Sequence, residues 1–148
     1  MLKIGVQQKK NELLYPVLEA SLKACSHTAQ LSLTTDADIV VFTESAFCNK
    51  CSAKTLILPN SKCVDTTASQ IITYGLCCKN TLTVSSCIGS NMIFSLQRMI
   101  TTASGVRIDV QDFPVSLSDP DEPELVLATV ATLLAADVPV SQISTLDF

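Results

Sequence analysis

The chain has no apolar run approaching the ~18 uninterrupted residues of a spanning helix, and its four glycines, Gly5, Gly75, Gly89 and Gly105, stand isolated. The first absence argues against a membrane protein. The second leaves no Gly-rich loop ending in Gly-Lys-Thr or Gly-Lys-Ser to cradle phosphates, so no nucleotide cofactor is expected. Positive charge is also scarce: ten Lys and Arg against fourteen Asp and Glu give a net charge of −4 with no basic tract. A nucleic-acid or anionic-lipid surface is therefore not expected. The single histidine, His27, has no Asp or Ser partner by spacing, and reads as a contact at a helix end rather than a general base. Serines and threonines such as Ser85, Ser86, Ser90, Thr101 and Thr102 lack a matching base, so nucleophilic catalysis has little support.

What is present describes one α/β domain over residues 1–148. The apolar share of 47% is too high, and the charged share of 16% too low, for disorder, and the length suits one core. Met1 to Val6 is too short an apolar start for a signal peptide, so a cytoplasmic location is expected. The odd number of cysteines, seven, then reads as reduced thiols.

Leu2–Val6 is a strand candidate. Leu14, Leu18 and Leu22 recur every four residues and predict a helix from about Tyr15 to Cys25, with Pro16 in its first turn. Ala29–Leu33 is a weaker strand. Asp38–Thr43, Lys54–Leu58 and Gln70–Tyr74 are continuous apolar runs, the second stopped by Pro59 and the third by Gly75, as in buried parallel strands. Thr81–Ser85 and the stretch around Val106 alternate, predicting antiparallel strands and a hairpin of Met92–Thr101 with Val106–Phe113. Asp121 to Ala136 predicts a helix buried on the sheet, with Asp121 and Glu124 as a capping box. The fold expected is an open, mostly parallel, Rossmann-like sheet with an added antiparallel hairpin region.

The strand ending Leu58-Pro59-Asn60, the run Ile71-Ile72-Thr73-Tyr74-Gly75-Leu76, the hairpin with Phe94-Ser95-Leu96 and Phe113-Pro114-Val115, and the helix leading into Val138–Ile143 occur in an informative order. Over roughly residues 54–145 this resembles the latter part of the central domain of the Mur ligases, the ATP-dependent amino-acid-adding enzymes of peptidoglycan synthesis. The resemblance implies a Mur-ligase-like fold and a link to cell-wall precursor metabolism. The departures are functional. The family's phosphate loop is missing, the acidic pair that follows its strand-end Asn is replaced by Ser61-Lys62-Cys63 after Asn60, and its His-Asn helix start is replaced by Glu124-Leu125. A complete ligase is not expected.

Two readings follow. The first is a non-catalytic binding or assembly domain, self-associating as a homo-oligomer or holding a protein partner. The second is a small ligand-binding protein or enzyme using loops at the carboxyl ends of the parallel strands, with Thr43, Glu44, Asn60 and Thr73 as ligand-binding candidates and Cys48 and Cys51 beside them. Cys48-Asn49-Lys50-Cys51 has metal or redox spacing. With no second pair of that spacing, it reads as unremarkable thiols whose replacement by serine is tolerated. Asp36 and Asp38 read as turn residues. Asp119, Asp121, Glu122 and Glu124 favour a helix start and oppose a phosphate there.

Overall fold

The apolar, β-branched runs become adjacent strands of a single sheet. The computed structural model describes residues 1–118 and 122–148. The sheet has eight strands: β1 Leu2–Gln7, β2 Ala29–Ser32, β3 Ile39–Phe42, β4 Thr55–Pro59, β5 Gln70–Tyr74, β6 Leu82–Ile88, β7 Asn91–Leu96 and β8 Gln111–Ser116. Their order is β8-β7-β6-β5-β4-β3-β1-β2. From β2 to β6 every neighbour is parallel, and β7 runs antiparallel to both β6 and β8. This is a mostly parallel, open α/β sheet of Rossmann-like kind with an antiparallel extension. The chain moves outward from β1 to β2 and then returns to add β3 on the other side, so strand order reverses between β1 and β3.

Helices α1 Leu14–Ala24 and α2 Pro123–Ala135 cover one face, and a short α3, Val140–Ile143, follows. Ile4, Val6, Ile39, Val41, Ile57, Ile72 and Tyr74 point to that face and share a cluster with Leu14, Leu18 and Leu22 of α1 and Leu127, Val130 and Leu134 of α2. On the other face Val40, Phe42, Leu56 and Leu58 pack with Ala46 and Cys51. That cover comes from the links between strands, which form a two-residue parallel pair, Lys50–Cys51 with Asp65–Thr66. Burial on both sides explains why the central strands read as continuous rather than alternating apolar runs.

Leaving β2, the chain passes close to β1. A Cβ on Gly5 would stand 2.2 Å from the Thr34 carbonyl oxygen, so only glycine admits the approach. Gln7 anchors the same link by donating from Nε2 to the Leu33 and Thr34 carbonyls. Of the two aspartates in this link, Asp38 serves the backbone, its carboxylate accepting the Lys3 N–H at 2.9 Å.

Several boundaries differ from the expected ones. Pro59 closes β4 rather than stopping it one residue earlier, pairing with Tyr74 at the strand end. The expected hairpin is present as β7 with β8, whose second strand runs on to Ser116, with Phe94 opposite Phe113, their rings 6.2 Å apart and edge to face. The expected partners near the turn reduce to Ile100–Thr101 with Arg107–Ile108, because the exposed Gln97, Arg98 and Met99 interrupt the ladder. A second hairpin joins β6 to β7 through Gly89 at φ 61°. At the edge of the sheet, β8 carries Pro114 and bridges Asp147 through Ser116, both of which discourage pairing with another chain.

Helix α2 is buried at every position from Val126 to Ala135. Its two buried hydroxyls avoid an unmet polar cost by donating back one turn, Thr129 to the Leu125 carbonyl and Thr132 to that of Ala128. Of the expected capping box only Glu124 lies among the described residues. Glu122 occupies the cap position without a side-chain cap bond, and Pro123 opens the helix, where its missing N–H costs nothing. Asp121, like Asp119, lies outside the described residues.

Just past α2, Asp137 adopts φ 72°, and its carboxylate accepts the Ser104 hydroxyl at 2.6 Å and the Ser104 N–H at 3.0 Å. This ties the end of α2 to the turn around Gly105. Burial pushes the Asp137 carboxyl up, but the Ser104 and Thr102 hydroxyls, the Ser104 N–H and the charge of His27 outweigh it and hold it below its usual value. A depressed folded value means the contribution is complete above the unfolded value of ~3.9 and is lost as pH falls through the lower folded one. Asn tolerates positive φ, so Asp137→Asn isolates the charge. Urea melts repeated from about pH 5 to about pH 3 should show the native chain losing stability more steeply than the variant; parallel pH profiles would refute the contribution.

Candidate functional site

Parallel strands present their carboxyl ends to one edge, and open sheets commonly bind ligands outside that edge, where strand order reverses. A cavity of about 720 Å³ lies there, within the size range of small-molecule sites. Its wall takes Asn11 to Leu13 from the link after β1 and Leu14 from the start of α1, Thr43 and Glu44 from the end of β3, and Pro59 to Ser61 from the end of β4. Tyr74 to Cys77 and Asn80 come from the end of β5, and Glu122, Glu124, Leu125 and Ala128 from the start of α2.

The link after β1 has no glycine and folds on its own side chains. The Lys9 N–H donates to Glu12 Oε1 at 2.7 Å, and Gln8 donates its amide to the Glu12 carbonyl at 3.0 Å. Gln8 Oε1 in turn accepts the Tyr15 N–H at 2.9 Å. A free donor at the start of α1 is thus already taken by the protein, a role Leu13 at the cap position cannot fill. Across the cavity, the Thr43 hydroxyl donates to Glu12 Oε1 at 2.7 Å and the Ser61 hydroxyl to Glu44 Oε1 at 2.9 Å. Two carboxylates are held in place by neighbouring strand ends.

Beneath them, Tyr74 donates its hydroxyl to the Phe42 carbonyl at 2.7 Å. Burial first, then the charges of Glu12, Glu44 and Glu124, push its phenol well above the ordinary value. Asn80 is only 1% exposed. Its Nδ2 donates to the Cys77 carbonyl at 2.8 Å, while its Oδ1 has no partner. Gly75 makes room for it, since a Cβ there would lie 2.9 Å from Asn80 Nδ2.

The wall carries Glu12, Glu44, Glu122 and Glu124, and no Lys, Arg or His among the described lining residues. Nearby lysines turn elsewhere: Lys62 donates to the Ala46 carbonyl and lies 5.9 Å above the Phe42 ring, and Lys9 sits 5.3 Å over Phe47. The cavity is acidic, and Leu14, Leu125 and Ala128 add apolar lining to it.

Of the residues expected from the sequence, Thr43, Glu44 and Asn60 line this cavity. Thr73 does not. It pairs with Leu58 on the opposite face from Tyr74, exchanging hydrogen bonds with Thr81, because successive strand residues point to opposite sides. Cys48 and Cys51 lie with the cover of that opposite face. Their thiols diverge, Cys48 to the Lys50 carbonyl at 3.1 Å and Cys51 to the Thr66 hydroxyl at 3.3 Å. All seven cysteines are free, and among the described residues no three His, Cys, Asp or Glu side chains gather to hold a metal. Glu12, Tyr74 and Asn80 were not expected. Glu12 was within reach of the sequence, because it follows a strand candidate, and Tyr74 is one alternation from Thr73. Burial of the loop residue Asn80 leaves no local signal.

At the opposite, amino edge, His27 and Asp137 line a second cavity of about 500 Å³. There the Ser104 hydroxyl is bonded to the Asp137 carboxylate rather than to the imidazole, so the three side chains do not form a nucleophile–base relay.

The two motif cysteines differ in burial, which separates their substitutions. Cys51 packs with Val40, Phe42 and Leu56, so Cys51→Ser should cost on the order of 1 kcal/mol. Cys48→Ser should stay within ~0.5 kcal/mol. Urea unfolding of both variants under reducing conditions checks the contrast; equal losses would refute it.

Comparison with known protein families finds no family model that matches the chain, and no curated protein matches it in sequence.

Proposed function

We propose that this chain is a non-catalytic binding domain that holds a small ligand in the cavity at the carboxyl edge of its sheet. The observation that carries this reading is the wall itself. Ends of β3, β4 and β5, the link after β1 and the start of α2 converge on one space, at the place where such sheets bind ligands. The polar groups there are positioned by one another rather than paired as nucleophile and base: Thr43 and Ser61 serve to orient carboxylates.

The Mur-ligase-like order of strands and helix supports a link to cell-wall precursor metabolism, as a domain that has lost ATP chemistry. In place of a phosphate loop, the first link presents Glu12, and carboxylates at the start of α2 oppose a phosphate. Self-association through the sheet has less support, because Pro114 and the Asp147 bridge obstruct the β8 edge and β2 is only four residues long.

Thermal-shift screening with nucleotides, peptidoglycan precursors and small amines tests the reading. A saturable rise in melting temperature is expected for at least one class, and Asn60→Ala, at an exposed position in the wall, should diminish it. Silence across the panel, or a rise untouched by Asn60→Ala, would count against the cavity as the site.

A further inference from the structure

Cys77 and Cys78 are consecutive, and both are free and exposed. They sit in the turn between β5 and β6, where Cys77 forms part of the cavity wall. Among the described residues the thiols that donate hydrogen bonds are those of Cys48, Cys51 and Cys87, and Cys25 is buried. Cys63 is exposed but has no second cysteine beside it in sequence. The adjacent pair is therefore uncommitted. Its turn is fixed from inside: Asn80, 1% exposed, gives its N–H and its Nδ2 to the Cys77 carbonyl at 3.1 and 2.8 Å. The Gly75 N–H donates to the Leu82 carbonyl at 3.3 Å, closing the turn. The backbone is set, while exposed side chains remain free to change rotamer.

Consecutive Cα atoms lie ~3.8 Å apart, closer than the ~4.4 to 6.8 Å usual across a disulfide. A direct S–S bond between these neighbours is strained, so the thiols stay reduced. An ion inserted between the sulfurs replaces one bond of ~2 Å by two, and the longer bridge relieves that strain. Thiolates select cuprous copper, zinc or iron–sulfur clusters. A structural zinc takes a full tetrahedral set, and a cluster a full set of thiolates, whereas among the described residues no three His, Cys, Asp or Glu side chains gather. An ion satisfied by a pair of thiolates remains. We propose that Cys77 and Cys78 form a two-thiolate site for a soft, thiophilic monovalent metal ion, cuprous copper in its biological form. Two sulfur–metal bonds form, the two thiol protons pass to solvent, and no electron is transferred. The site stands independently of what the cavity itself holds.

Anaerobic titration of the intact, reduced chain with cuprous ion in competition with the chromogenic chelator bicinchoninate provides the test. The chain should withdraw about one ion from the chelator, and hold it more tightly as pH rises, because binding releases protons. Cys77→Ser and Cys78→Ser should each weaken retention about tenfold or more, since a hydroxyl is a poor ligand for a soft ion. Cys63→Ser and Cys87→Ser, also at exposed positions, should leave it within about twofold. Circular dichroism checks that each variant is folded, as expected for exposed substitutions. Retention unchanged in both the Cys77 and Cys78 variants, or weakened as much in the two controls, overturns the site. Displacement of the ion by equimolar zinc overturns it as well, as does light scattering that shows one ion shared between two chains.

Discussion

Burial of α2 is the constraint on which the rest of the molecule depends. From Val126 to Ala135 the helix has no solvent-facing side, so it must be enclosed by the sheet, α1 and the loops at its ends. Its C-terminal end reaches the amino edge, where Ala136 and Asp137 help line one cavity. Its start reaches the carboxyl edge, where Glu122 and Glu124 line the other. Both spaces are therefore consequences of how one apolar helix is laid across parallel strands. Truncating its interior, for example at the fully buried Leu127 or Leu134, would belong to the costly class of core changes, ~2 to 5 kcal/mol.

The two faces of the sheet solve the same burial problem differently. One is covered by helices and the other by irregular links that bring Ala46 and Cys51 onto Phe42 and Leu56. In this second solution one thiol of the cysteine motif fills space and the other faces a nearby carbonyl. That solution also explains the close pass at Gly5, where the return link from β2 presses its backbone on β1. A cavity remains at the carboxyl edge, where these links begin.

Electrostatics gives that edge its character. Sheets of this kind commonly offer helix starts and glycine loops to anions. Here Gln8 occupies the start of α1, and carboxylates from α1's link, β3 and α2 face a common space. Their shared field is felt at Tyr74, whose ionised form is disfavoured by burial and by three of them. The same arrangement opposes a phosphate at this edge.

The sequence by itself determined the strands Ile39–Phe42, Thr55–Pro59 and Gln70–Tyr74 to within a residue or two, the two long helices, and the absence of a phosphate loop. These depend on local periodicity and on chemistry that needs particular residues at particular spacings. It also reached Thr43, Glu44 and Asn60, because strand ends can be read wherever strands can. Tertiary structure alone decided that Thr73 faces away while Tyr74 faces the helices, and that Asn80 is buried. It also brought Glu12 within hydrogen-bonding distance of Thr43, 31 positions along the chain. Such outcomes depend on which faces meet and on which loops cover them, and contacts between distant segments leave no periodic trace in either segment.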